Sequence, residues 1–85
     1  MKILLSSHLE IRLKERKIPR NYPNKILSKP DAQYIDIRTG YNIAMRKMEY
    51  NFKLRPMVVV YDIISPEVQV ITIHPISSQE IENKL

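Results

Sequence analysis

The pair Lys29-Pro30 divides this chain into two kinds of sequence. Proline disfavours helical geometry in the residue before it, so a helix that arrives from the N-terminal side stops here. Upstream, apolar residues recur every three to four positions. Downstream, they alternate or run together in β-branched blocks. Helices followed by hairpins are the pattern of an α+β domain, with helices gathered on one face of an antiparallel sheet. The expected fold is one domain over residues 1–85. Two N-terminal helices pack on a twisted four-stranded antiparallel sheet, residues 2–5 are long enough for a short extra N-terminal strand, and a short C-terminal helix follows.

The element boundaries come from caps and breakers. Ser7-His8-Leu9-Glu10 has the spacing of a capping box and opens a helix expected to run to about Lys17. Asn21-Tyr22-Pro23-Asn24 turns into a second helix over 24–28. Residues 33–38 alternate, with Ile35 and Ile37 on one face. Thr39-Gly40-Tyr41, which holds the only glycine, makes a hairpin turn into a long strand over 42–52. Residues 53–56 are read as the next turn. Met57-Val-Val-Val-Tyr-Asp-Ile-Ile is β-branched enough to be central in the sheet. Ser65-Pro66-Glu67 turns the chain into a last strand over 68–74. Ser77-Ser78-Gln79-Glu80, with Ile76 and Ile81 at the staple positions, opens the C-terminal helix.

Composition removes several classes of function. With no cysteine there are no disulfides, no thiol catalysis and no thiolate metal site. With one glycine there is no Gly-rich phosphate loop and no nucleophile elbow. Two histidines without a suitably spaced third ligand make no metal site. A chain this small is not expected to enclose a cofactor. No apolar run approaches the roughly 20 residues that span a bilayer. The start Met1-Lys2-Ile3-Leu4-Leu5 is apolar over too few residues for a secretion signal. A cytoplasmic protein is expected.

The charge is informative because of its place. Fourteen Lys and Arg against nine Asp and Glu give a net +5. Residues 1–29 hold eight of the basic side chains and two of the acidic ones, so they carry +6, and the remainder carries −1. A positive field gathered in this way favours a polyanion or an acidic protein partner. On a helical wheel Leu5, Leu9 and Leu13 form an apolar stripe flanked by Ile11 and Ile18. His8, Arg12 and Arg16 form a second, overlapping stripe, and Glu10, Lys14 and Lys17 take the solvated arc. His8, Arg12 and Arg16 are therefore expected to face, or edge, a groove between helix and sheet. The plain structural alternative pairs the arginines with Asp36 or Asp62. The functional alternative is a cationic groove for phosphate, which the planar guanidinium fork suits.

Further candidates lie on the strands. Alternation places His74 on one face with Val68, Val70 and Thr72. Arg46, Lys47, Lys53 and Arg55 lie on the second strand and the expected turn after it, and Arg38 and Arg46 are candidate cross-strand neighbours. Tyr34, Tyr41, Tyr50 and Phe52 are aromatics able to stack on bases, although such residues more often cover the sheet.

The spacing His8-x3-Arg12-x3-Arg16-x-Ile18, the second helix ending at Lys29-Pro30, and the closing run Val70-Ile71-Thr72-Ile73-His74-Pro75 resemble a branch of the RelE/ParE-like toxin superfamily. The resemblance implies two N-terminal helices on a twisted antiparallel sheet. It also implies a toxin of a toxin–antitoxin pair, acting as a metal-independent endoribonuclease on mRNA, on the ribosome in the best-known members. An acidic antitoxin protein would be the partner, with no cofactor and no membrane. In that chemistry a base activates the RNA 2′-OH, cations stabilise the phosphorane and an acid protonates the leaving oxygen. His74 and His8 are then the acid/base candidates, and Arg12, Arg16, Arg46 and Arg55 the phosphate-binding ones. Residues 76–85 contain neither the Tyr nor the Arg that many of the nucleases carry there. That departure favours a non-catalytic interaction module on the same fold, such as a gyrase poison. A plain nucleic-acid binder is a third reading.

Overall fold

The computed structural model describes residues 2–76. The elements are β1 (Lys2–Leu5), α1 (Ser7–Glu15), α2 (Tyr22–Ser28), β2 (Ala32–Ile35), β3 (Asn42–Tyr50), β4 (Lys53–Ile64) and β5 (Glu67–Pro75). The strands form one sheet in the order β1-β5-β4-β3-β2. Three neighbouring pairs are antiparallel, but β1 runs parallel to β5, with Lys2 opposite Glu67 and Leu5 opposite Val70. The expected four-stranded antiparallel sheet is therefore corrected to a five-stranded mixed one. The expected C-terminal helix lies outside the described residues. Among these residues no helix is long and apolar enough to cross a membrane.

Local chemistry explains where the helices begin and end. The N-cap of α1 is Ser6, whose hydroxyl accepts from the Leu9 amide at 3.1 Å. The cap thus falls one residue before the expected Ser7, and Glu10 is free to pair with Arg20 instead. The helix ends in a Schellman arrangement. The Ile18 amide donates to the Leu13 carbonyl at 2.9 Å, the Lys17 amide donates to that of Lys14 at 3.2 Å, and Lys17 takes φ 55°. Ile18 then folds back into the core beside Leu13. In α2, Pro23 occupies the first turn, where its missing amide is tolerated.

The strand boundaries moved most at the hairpins. After Ile35 the Asp36 carboxylate accepts from the Arg38 amide at 2.9 Å, which bends the chain early and leaves Ile37 fully in solvent. The turn expected over 53–56 is instead the two-residue loop Asn51-Phe52, closed by the Tyr50–Lys53 pair. Both loop residues have positive φ, 53° and 63°, as a type I′ turn requires. Pro56 is accommodated inside β4 because it faces Lys47 where β3 turns its amide outward: the Lys47 amide donates to Asp31 at 2.9 Å. In such a pair the proline nitrogen points away from β3, so no β3–β4 hydrogen bond is lost.

The core lies between the helices and one sheet face. Leu9, Leu13, Ile18 and Ile26 meet Ala44, Met48, Met57, Val59, Val70 and Ile73, each at most 9% exposed. Each fully buried aliphatic side chain here contributes about 1.5–3 kcal/mol. A smaller cluster of Met45, Val58 and Ile76 occupies the other sheet face. Between them β5 carries a register shift: Val60 pairs with Thr72 but Tyr61 with Val70, so Ile71 is an extra residue without a partner on β4.

Candidate nucleic-acid interface

The helical stripe of His8, Arg12 and Arg16 does not act as a unit. His8 and Arg12 are exposed. Arg16 alone reaches the sheet, where its guanidinium donates to the Ile73 carbonyl at 2.9 Å. Its partner is thus a backbone oxygen of β5, and neither Asp36 nor Asp62. Ile11, expected beside the core, is 55% exposed. With Leu9 and Leu13 both 2% exposed, the nine-residue helix buries a narrow strip centred on those leucines, and His8 and Arg12 stand beyond its edge.

The register shift separates the two histidines. His74 lies opposite Val58, on the face that carries Met45 and Ile76, whereas Ile73 faces the helices. Alternation grouped Val68, Val70, Thr72 and His74; the extra residue at Ile71 leaves Val68 and Val70 packed inward and turns Thr72 and His74 to the opposite face. His8 and His74 thus do not share a groove. Arg46 faces the helices opposite Met57 and donates to the Lys25 carbonyl at 3.1 Å, in the last turn of α2. There a cation complements the carbonyl end of the helix. Arg38 stands in the turn after β2, away from Arg46.

A different group of side chains does come together. Strand β2 pairs with β3 only as far as Met45, and β5 pairs with β4 only as far as Met57. Beyond those points β3 and β4 continue as a two-stranded arm, through Lys47–Pro56, Met48–Arg55, Glu49–Leu54 and Tyr50–Lys53. Four pairs reach about 13 Å. Residues 46–56 hold four basic side chains against one acidic. Directly opposed residues share a face, so Tyr50, Lys53, Met48 and Arg55 lie on the helix side, while Glu49 and Leu54 lie on the other.

The end of α1 rests on this arm. The Tyr50 hydroxyl donates to the Arg16 carbonyl at 2.7 Å, and the Tyr22 hydroxyl donates to the Glu49 carbonyl at 2.6 Å. Lys17 is exposed and follows Arg16, whose carbonyl meets Tyr50, the cross-strand partner of Lys53. At the tip, Phe52 is 97% exposed and Leu54 70%. An L-residue in left-handed geometry costs about 1–2 kcal/mol where glycine would cost far less, and the Phe52 ring recovers none of it by burial. An exposed aromatic flanked by cations is a combination able to meet a base and its phosphates.

Sequence reasoning noticed Phe52 and Lys53 separately but missed their grouping, because it placed the turn two residues late. Asn51 was the available signal, since asparagine is the residue after glycine that best accepts left-handed geometry. A shallow depression lined by Glu10, Leu13, Lys14, Ile18 and Arg20 lies over α1 and holds neither histidine. No three acidic or histidine side chains gather as metal ligands would among the described residues. No family model, no curated protein and no solved structure matches the chain.

Proposed function

We propose that this protein binds a polyanion, with RNA as the favoured polymer, and that it works by binding rather than cleavage. One observation carries the reading: Lys53 and Arg55 stand exposed beside Phe52 on the arm, exposed Lys17 follows the Arg16 carbonyl that Tyr50 holds, and His8 and His74 are on different surfaces. Cations spaced along an arm neutralise successive phosphates and release their counterions. A single-site acid/base reaction needs its groups converging on one bond, and removal of such a group costs about 10²–10⁴-fold. Of the activities that the RelE/ParE-like resemblance implies, target binding fits this arrangement better than mRNA cleavage. An acidic antitoxin would compete for the same cations. RNA as the target puts the protein in the cytoplasm.

A salt titration run beside a cleavage assay tests the proposal. Three phosphate contacts predict a slope of log K against log salt near −2 for single strands, at about −0.7 per contact. Steep salt dependence without turnover, with or without ribosomes, is the expected result. Cleavage that disappears in His74→Ala or His8→Ala overturns it in favour of the endoribonuclease. Absence of nucleic-acid binding at low salt overturns it in favour of a protein target.

A further inference from the structure

We propose that the β3–β4 arm reads single-stranded nucleic acid, with the Phe52 ring stacked on an unpaired base and Lys53 and Arg55 on the neighbouring phosphates. The inference rests on the polyanion-binding reading and names the form of polymer that the same end selects.

Three observations lead to it. Phe52 is 97% exposed at the extreme tip of a hairpin that neither β2 nor β5 accompanies, so both faces of its ring are open. Its φ of 63° is unfavourable for a side chain with a Cβ, although it makes no burial in return. Strain held without a packing benefit points to a role outside the fold. The cations are also suitably placed. Lys53 is the next residue and Arg55 lies two further on the same face, so successive cations are about 7 Å apart along the strand, near the spacing of phosphates in an extended strand.

A duplex offers this arrangement less. Its bases are stacked on one another, so the ring finds no free π-face, even where a two-stranded ribbon fits the major groove. A single strand presents every base face, and stacking on aromatic side chains tolerates any sequence. Glu49 is the one carboxylate on the arm and belongs to the opposite face, with Leu54. The helix-side face of Tyr50, Lys53 and Arg55 is therefore the one that meets phosphate.

The test uses the full chain and labelled 12-nucleotide probes: a single-stranded RNA, the DNA of the same sequence, and the duplex of each. The expected result is tighter binding to both single strands than to either duplex by at least tenfold. Loss of one stacked base predicts that Phe52→Ala weakens single-strand binding roughly 5- to 150-fold and leaves duplex binding unchanged. The chain has no tryptophan, so Phe52→Trp installs a lone indole that should preserve affinity and quench when a single strand binds. Because the Phe52 side chain is in solvent, these variants keep the fold, which far-UV circular dichroism checks. RNA and DNA compared under one salt condition separate the two sources of single strand. Unchanged single-strand affinity in Phe52→Ala, with the salt slope intact, overturns the stacking proposal and leaves polyanion binding standing. Equal affinity for duplex and single strand does the same. No binding to any probe removes both.

Discussion

Replacing Phe52 with glycine should stabilise the fold while removing the ring. At φ 63° a residue with a Cβ carries a cost of about 1–2 kcal/mol that glycine largely escapes. Glycine also has more freedom to lose from the unfolded chain, which returns about 0.4–1 kcal/mol. The hydrophobic term is near zero, since the ring is 97% exposed. The balance is a gain of about 0.5–1 kcal/mol. For a domain of this length 1 kcal/mol moves the midpoint by about 4–8 °C, so the melting temperature should rise by about 2–8 °C. Thermal unfolding followed by circular dichroism measures it, and urea unfolding should show a higher midpoint with an unchanged slope. Phe52→Ala is the control. It removes the ring but keeps the Cβ, and should stay within about 0.5 kcal/mol of the parent, as exposed substitutions do. A lower melting temperature for Phe52→Gly would refute the reasoning, for it would mean that the ring supports the fold.

Two further comparisons test the N-terminal helix. Ser6→Ala removes the hydroxyl that accepts from the Leu9 amide and should cost about 0.5–2 kcal/mol in urea unfolding, while Ser7→Ala should be near neutral; the opposite order would restore Ser7 as the cap. Arg16→Met loses a charged hydrogen bond to the Ile73 carbonyl and should cost about 1.5–3 kcal/mol, whereas Arg12→Ala on the exposed side should stay within about 0.5 kcal/mol. Equal effects at the two arginines would show that the Arg16 contact has no special weight.

How far the chain could be read ahead of its structure depended on the range of the interaction. Leu9 and Leu13 belong to the core because their spacing on one helix is enough to place them there. The Met57 to Ile64 block lies between β3 and β5, as its β-branched run suggests, although burial on both faces stops at Val59 and Ile63 and Ile64 are exposed. What failed was non-local. Nothing in Lys2–Leu5 says that it pairs parallel with a strand more than sixty positions later. The wheel placed His8 and Arg12 near the sheet, but only the packed helix says how wide its buried strip is. Proline at 56 read as a turn because its tolerance depends on which way β3 aims its amide, a property of the pair and not of the residue. The inversion of His74 rests on Ile71, one unpaired residue that no local pattern marks.

The same edge chemistry explains how the arm is left to act. A two-stranded projection presents two open edges, and a third strand adding to either would bury the tip in an assembly. Here the outer edge of β3 is already occupied: the Asp31 carboxylate accepts from the Lys47 amide and the Tyr22 hydroxyl donates to the Glu49 carbonyl. On the outer edge of β4, Pro56 offers no amide, and its carbonyl accepts from Ile76 at 3.0 Å. A partner that docked by strand addition would have to displace Asp31 and Tyr22 on one side, or accept a missing donor on the other. Contact through the exposed side chains of Phe52, Lys53 and Arg55 needs none of this. The occupied groups on β3, the missing donor at Pro56 and the open tip thus favour recognition by ring and charge over recognition by backbone pairing. Asp31→Ala, which frees the Lys47 amide, should leave probe affinity unchanged if that view is right, and a shift toward higher oligomers in sedimentation would show the edge that Asp31 was closing.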